Sequence, residues 1–173
     1  MLIKLTGAAI VFCSCTAAGL FLSTNDKFRA EELNEMKRGL IMLKSKTLFS
    51  DEPLYEAMLE TGSELNASAS EIFEDAGRLL KSKKAESVSE AWDKTLHDRK
   101  RRSFFTSDDL NALSGIGNTM GSEDKKCQLS GIDMAVEYID SKSAELMKRY
   151  TGNSRLYRSA GMLFGILIVV VLF

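Results

Sequence analysis

The sequence predicts an all-α fold: a compact helical bundle with two long antiparallel stalk helices, flanked by an N-terminal and a C-terminal transmembrane helix. Three segments, 68–71, 87–90 and 106–109, begin with Ser or Thr and end with Glu or Asp, a spacing typical of helix starts. No segment alternates apolar and polar residues as a half-buried strand does. The chain has a single proline, so its helices run largely uninterrupted.

The first element is an uncharged segment that follows Lys4. Residues 5–23 are about 19 residues without charge, enough for a helix to cross ~30 Å of hydrocarbon. We predict a membrane anchor over residues 1–25. A cleaved signal peptide is the alternative, because one lysine precedes the apolar core and residues 17–19 (Ala-Ala-Gly) could mark a cleavage site. The apolar residues continue beyond that site, which favours a retained anchor.

The chain ends in a second apolar run, about 15 residues after Arg158, and we predict a transmembrane helix over residues 154–173. Basic residues lie on the inner side of both predicted spans: Lys27, Arg29, Lys37, Arg38, Lys148, Arg149, Arg155 and Arg158. The positive-inside rule therefore predicts that the intervening domain, residues 26–153, faces the cytoplasm. A cleaved signal peptide would place that domain on the opposite side.

The stalk helices are predicted from apolar stripes with heptad-like spacing. The first stripe, in residues 27–49, contains Leu33, Met36, Leu40, Leu43 and Thr47. A second stripe follows in the long helix predicted after Gly121: Leu129, Ile132, Val136, Ile139, Ser143, Leu146 and Tyr150. Antiparallel pairing would bury both stripes and bring the predicted membrane segments side by side.

Shorter helices lie between the stalks. Pro53 suits the first turn of one that Gly62 ends, and the three Ser/Thr–acid segments begin the others. The residues predicted to fill the core are Phe73, Trp92, Phe104, Phe105, Leu113 and Ile132.

Composition and motifs argue against an enzyme. One histidine and three cysteines leave little material for a metal site or a disulfide framework. The net charge of −1 gives no general attraction to nucleic acid. His97 beside Asp98 is interpreted as a solvated helix end rather than a catalytic dyad. We therefore predict no catalytic residue, no cofactor, no metal and no small-molecule substrate.

The glycines of the segment SGIGNTMG resemble a phosphate-binding loop but follow no predicted strand. We predict instead that Gly115 and Gly117 let another helix approach closely, and that Gly121 ends their helix. Gly161 and Gly165 have the small-xxx-small spacing of helix contacts within membranes. One partner for that contact would be the N-terminal span.

Two charged groups are candidates for partner docking. Arg99, Lys100, Arg101 and Arg102 form the densest basic run. It is either a solvated helix end favoured by the helix dipole or a docking face for an acidic partner or lipid head groups. Glu123 and Asp124 are acids at the start of the second stalk helix.

Five segments carry a resemblance to a known family: LIKLTGAAIV, LIMLKSKTLFSDEPLYEAM, SVSEAW, DLNALSGIGNTMGSEDKKCQLSGI and SRLYRSAGMLFGILIVVVLF. Together they resemble the stage III sporulation protein AB family of endospore-forming bacteria, over nearly the whole chain. The resemblance implies a part in the channel complex between mother cell and forespore, which is similar to type II secretion and type IV pilus systems. It implies a likeness to the helical cytoplasmic domain of their inner-membrane platform protein.

By that resemblance, the expected partners are the motor ATPase of the same sporulation complex, the ring-forming channel membrane proteins and membrane lipid. The expected location is the mother-cell membrane around the forespore, with two membrane passes and the bundle in the cytoplasm. The expected role is a non-catalytic platform that docks the motor and is required for endospore formation. The alternative is an extracytoplasmic helical domain, left by signal cleavage, that scaffolds the channel between the two membranes.

Overall fold

The structure is a computed structural model that describes the backbone of residues 2–50, 52–122 and 124–172. It describes the side chains of residues 24–50, 52–66, 68–122 and 124–152. The elements of the described residues are all α-helices: α1 (Leu2–Phe49), α2 (Leu54–Ser63), α3 (Ala67–Lys81), α4 (Val88–Arg99), α5 (Ser107–Met120) and α6 (Lys125–Leu172). The all-α prediction is confirmed.

The chain divides into two compact units, residues 1–28 with 144–173 and residues 29–143. We call the second unit the bundle. In the described part of the chain, no helix is both long enough and apolar enough to cross a membrane. The apolar parts of both predicted spans, 5–23 and 159–173, lie outside the residues whose side chains are described, as do Gly161 and Gly165.

Helices α1 and α6 run antiparallel within the bundle. Lys37 pairs with Asp140 at 2.5 Å, and Lys44, one heptad further along α1, pairs with Asp133, one heptad back along α6. The apolar stripe of α1 is buried beside these pairs, as Leu33, Met36, Leu40 and Leu43 show. Ile132, Ile139 and Ser143 are the buried positions of the facing stripe on α6.

Trp92 lies at the centre of the core and joins three helices. Its ring packs edge-on against Phe73 of α3, with ring centroids 5.2 Å apart. Its indole N–H donates to the main-chain oxygen of Leu113 in α5 at 2.8 Å, which satisfies the buried donor. Phe73, Trp92 and Leu113 are fully buried, and Ile132 is almost so. Phe105 is buried too, but Phe104 is 44% exposed and does not belong to the core.

The helix starts agree with the sequence patterns at two of three sites. Thr106 and Asp109 form the complete reciprocal capping box of α5. Ser87 accepts from the main-chain N–H of Glu90, whose carboxylate accepts from Glu86 N rather than from Ser87 N. The capping box predicted at Ser68 is wrong, because α3 begins at Ala67 after Asn66. The Ser68 hydroxyl instead donates to Glu32 of α1 at 2.5 Å.

Close helix approach involves Gly62, which the sequence did not suggest for this role, and Gly117, which it did. A Cβ on Gly62 would lie 2.9 Å from main-chain atoms of Ser70 and Glu74, so α2 and α3 meet backbone to backbone there. A Cβ on Gly117 would lie 3.1 Å from Ser89 Cα and Trp92 Cδ1. Gly115 is not a contact position, because a Cβ there would meet no described atom within 4 Å.

Gly121 follows the last residue of α5 with φ −80°, so it ends the helix without adopting a left-handed conformation.

Replacing Gly62 by Ala should destabilise the bundle by about 2 kcal/mol, because backbone atoms of α3 must move to accommodate the methyl group. Gly115→Ala is the matched control, since it adds the same methyl group to open space. It should raise stability by about 0.5–1 kcal/mol through helix propensity. Urea unfolding followed by the fluorescence of Trp92, the only tryptophan, measures both. Equal effects of the two substitutions on stability would contradict the assignment of Gly62, and not Gly115, to a close helix contact.

Candidate functional site

The bundle has two ends, each carrying one of the charged groups predicted to dock a partner. We call the end that contains Arg29, Glu32 and residues 100–109 the base. We call the end that contains residues 47–57 and 120–128 the tip. Arg29 and Phe49 are twenty residues apart on one helix, which corresponds to about 30 Å. The basic run and Asp124 therefore do not form one surface.

The base is organised around the carboxylate of Asp109, whose side chain is fully buried. Arg29 of α1 donates to both of its oxygens, at 2.7 and 2.9 Å. The hydroxyl of Tyr138 in α6 donates at 2.8 Å, and the main-chain N–H of Thr106 donates at 2.8 Å. This cluster of four residues joins α1, α5 and α6 through one carboxylate.

The environment of the cluster keeps Asp109 ionised. Burial acts to raise the pKa of Asp109, but the hydrogen bonds from Arg29, Thr106 and Tyr138 outweigh it and hold the pKa below its usual value. Burial and the hydrogen bond to Asp109 raise the pKa of Tyr138 to about 12. Since the folded pKa of Asp109 is lowered, its contribution to stability is present near neutral pH. That contribution is lost as the pH falls through the folded pKa.

Glu32 makes a second connection at the base. Its carboxylate accepts from the main-chain N–H of Phe104 at 2.6 Å and from Ser68 at 2.5 Å. It therefore fixes the α4–α5 connection and the start of α3 to α1.

The predicted basic run divides into two parts. Arg99 pairs with Glu71 and with Asp75, the latter at 2.6 Å, so its charge is used within the α3–α4 hairpin. The hydrogen bonds to these acids raise the pKa of Arg99. Lys100, Arg101 and Arg102 are exposed, and the Lys100 ammonium donates to Ser107 Oγ at 3.4 Å. We call these three residues the base patch.

The tip contains a cleft of about 320 Å³ between the α1–α2 connection and the start of α6. Its lining residues are Thr47, Ser50, Glu52, Leu54, Ala57, Lys125 and Gln128. Phe49, at the end of α1 beside this cleft, is 87% exposed. Leu48 is also an exposed apolar residue. The tip thus combines a concave polar site with a protruding aromatic side chain.

Local hydrogen bonds hold the chain between α5 and α6. Asp124 is exposed and accepts from the main-chain N–H of Lys126 at 2.9 Å, while its own N–H donates to Ser122 Oγ. The Gln128 side-chain amide donates to the Ser122 carbonyl at 2.5 Å. Glu123 lies outside the described residues.

The described residues offer no obvious chemistry. They include no group of three or more His, Cys, Asp or Glu that could hold a metal ion. His97 contacts the main-chain oxygen of Asp93 at 2.9 Å, one turn back on its own helix. Its neighbour Asp98 lines a separate cleft between α3 and α4. The sequence interpretation of His97 as a helix end and not a dyad agrees with these contacts.

Replacing Asp109 by Asn should lower the free energy of unfolding by about 3 kcal/mol at pH 7. It removes the carboxylate charge that receives two hydrogen bonds from Arg29, whose side chain is only 14% exposed. Tyr138→Phe, which removes one hydrogen bond and leaves the ion pair, should cost about 1 kcal/mol. Urea unfolding across pH measures both, and the gap between wild type and Asp109→Asn should narrow as the pH falls below about 4. A gap that does not change with pH would show that Asp109 stabilises by shape alone.

Comparisons with known proteins identify the family. Residues 4–173 match the family model of Stage III sporulation protein AB. The chain is 22% identical over 171 residues to the Stage III sporulation protein AB of Bacillus subtilis (strain 168), covering 99% of each chain. Its fold is similar to a solved structure of Stage III sporulation protein AB (SpoIIIAB), with a TM-score of 0.66, 20% identity and coverage of 71% of this chain and 96% of that one. This chain belongs to the stage III sporulation protein AB family, and its role lies in sporulation.

Proposed function

We propose that this protein is a non-catalytic membrane platform of the channel complex between mother cell and forespore. In this proposal residues 1–25 and 154–173 span the mother-cell membrane around the forespore. The bundle lies in the cytoplasm, docks the motor ATPase of the same complex and connects it to ring-forming channel proteins in the membrane. Family membership supports the role in sporulation. The basic residues that flank both predicted spans support the orientation.

The tip is the surface that we assign to the motor. The observation that carries this assignment is the exposure of Phe49 beside a cleft. An aromatic side chain held in water at the end of a helix gains from burial in a partner, and aromatic residues dominate binding energy at interfaces. Two of the six predicted docking residues, Glu123 and Asp124, belong to the same connection.

The position of the tip also suits a cytoplasmic partner. Residue 25 ends the first proposed span, and within the bundle α1 extends from Arg29 to Phe49, about 30 Å at the rise of an α-helix. The base, in contrast, is joined to the proposed span by only a few residues. The tip is therefore the better candidate for docking a soluble assembly.

Phe49→Ser should weaken binding of the motor ATPase at least about tenfold, which corresponds to the loss of one interfacial aromatic anchor. Met134→Ser is the matched control, because Met134 is 71% exposed and lies on α6 outside the tip. Pull-down and titration of the full chain in detergent with the purified motor would measure this. Both substitutions should leave the urea midpoint nearly unchanged. Equal binding by the two variants would contradict docking at the tip.

Cys127 provides a test of orientation, because it is exposed near the start of α6. In a chain with Cys13→Ser and Cys15→Ser, a membrane-impermeant maleimide should label Cys127 only after lysis. Cells must be sampled before engulfment is complete, so that the space between the two membranes is open to the reagent. Labelling of intact cells would instead support the extracytoplasmic scaffold left by signal cleavage. Resistance to carbonate extraction, measured in parallel, reports whether the chain is integrated in the membrane.

A further inference from the structure

We propose that the base patch, Lys100, Arg101 and Arg102, binds the anionic head groups of the membrane in which the protein is anchored. This inference rests on the proposed membrane anchors and adds a lipid contact to them. It assigns the base patch to lipid rather than to the motor. The bundle would then be held against the membrane by its base, with the tip pointing away.

The first argument is position. Glu32 binds the main-chain N–H of Phe104 at 2.6 Å, and Arg29 Nη2 donates to Thr106 Oγ1 at 2.9 Å. The connection that carries the base patch is therefore fixed beside the first residues of the bundle. Arg29 follows residue 25 by four positions, and even a fully extended chain spans no more than about 14 Å over that length. The base patch is thus kept close to the end of the first proposed span.

The second argument is charge. Arg99 is neutralised by Glu71 and Asp75, and the base patch residues that follow it are exposed. Asp98, two residues before the patch, and Asp108, in the first turn of α5, are the exposed acids that flank it in the chain, and the three basic groups outnumber them. Attraction to an anionic surface strengthens about fivefold for each basic side chain near it. The effect extends about 8 Å at physiological ionic strength, so only this end of the bundle would experience it.

The third argument is the exposed aromatic residue beside the patch. Phe104 is 44% exposed although its main chain is held by Glu32. A basic cluster next to an exposed apolar ring is the combination by which surface segments enter the boundary between head groups and acyl chains. The tip pairs its own exposed ring, Phe49, with an acid and a polar cleft instead.

The chain contains a matched control for the charge of the patch. Lys81, Lys83 and Lys84 are three exposed basic residues at the opposite end of α3. Lys81 lies over the ring of Tyr55, which follows the cleft residue Leu54, so this group belongs to the tip end. Changing either group to Gln removes the same charge.

The experiment uses the full chain reconstituted in vesicles of phosphatidylcholine, with or without about one third phosphatidylglycerol. One probe chain carries Ser107→Cys, beside the patch, with Cys13, Cys15 and Cys127 changed to Ser. The other keeps Cys127 at the tip, with only Cys13 and Cys15 changed. The rate of labelling by a neutral, polymer-linked maleimide reports how closely lipid covers each position on outward-facing molecules.

The base probe should react at least about threefold more slowly in the anionic vesicles than in those of phosphatidylcholine alone, and high salt should remove the difference. The labelling rate of the tip probe should be the same in both. K100Q/R101Q/R102Q should abolish the slowing, and K81Q/K83Q/K84Q should preserve it. Equal rates in both vesicles, or the same loss in both variants, would overturn the lipid contact. The lipid contact would also be overturned if K100Q/R101Q/R102Q still showed slower labelling in anionic vesicles but no longer bound the motor ATPase. The patch would then be a contact with protein.

Carbonate extraction of the same vesicles tests the membrane anchors separately from the lipid contact of the base patch. A chain that resists extraction but shows no anionic effect retains its anchors and lacks the lipid contact. A chain that is extracted has neither, since the position of the base near the membrane depends on the spans.

Discussion

The buried carboxylate of Asp109 is the constraint on which the arrangement of the bundle depends. An ionised group without solvent is strongly unfavourable unless donors surround it, and Asp109 receives hydrogen bonds from Arg29, Thr106 and Tyr138. Those donors belong to the first stalk helix, the start of α5 and the second stalk helix. The stalks and the inner helices are therefore fixed in one register at the base. A shift of α1, α5 or α6 would remove at least one hydrogen bond from this buried charge.

Much of the fold could be predicted from the sequence because its signals are local. A heptad-like stripe reports which face of a helix is buried, and a Ser or Thr three residues before an acid reports where a helix begins. The stripe correctly predicted the buried face from Leu33 to Leu43, and the capping pattern correctly predicted the start of α5 at Thr106. The capping prediction failed at Ser68 because a local pattern cannot show a partner far away in the chain. The Ser68 hydroxyl donates to Glu32 instead of capping α3. Local patterns do not reveal such competition.

The candidate site was harder to predict, because its residues act through distant partners or through exposure. The capping signature explains why Asp109 lies in the first turn of α5. It contains no information about Arg29, eighty residues earlier in the chain. Arg99 looked equivalent to its basic neighbours until the α3–α4 hairpin placed Glu71 and Asp75 beside it. The sequence did contain enough information to distinguish the two glycines of α5. Gly115 and Gly117 are about 200° apart around a helix, so only one of them could face α4.

The separation of the two ends gives the bundle a direction. A contact at the tip and a contact at the base are linked by α1 and α6, which run antiparallel and are joined by Lys37–Asp140 and Lys44–Asp133. These exposed pairs contribute little stability, but they and the buried stripe beside them resist sliding of one helix along the other. Asp109 prevents the same movement at the base. Under the proposed function, a displacement that the motor imposes on the tip would therefore reach the base without α1 sliding along α6, as a platform between a motor and a membrane channel requires.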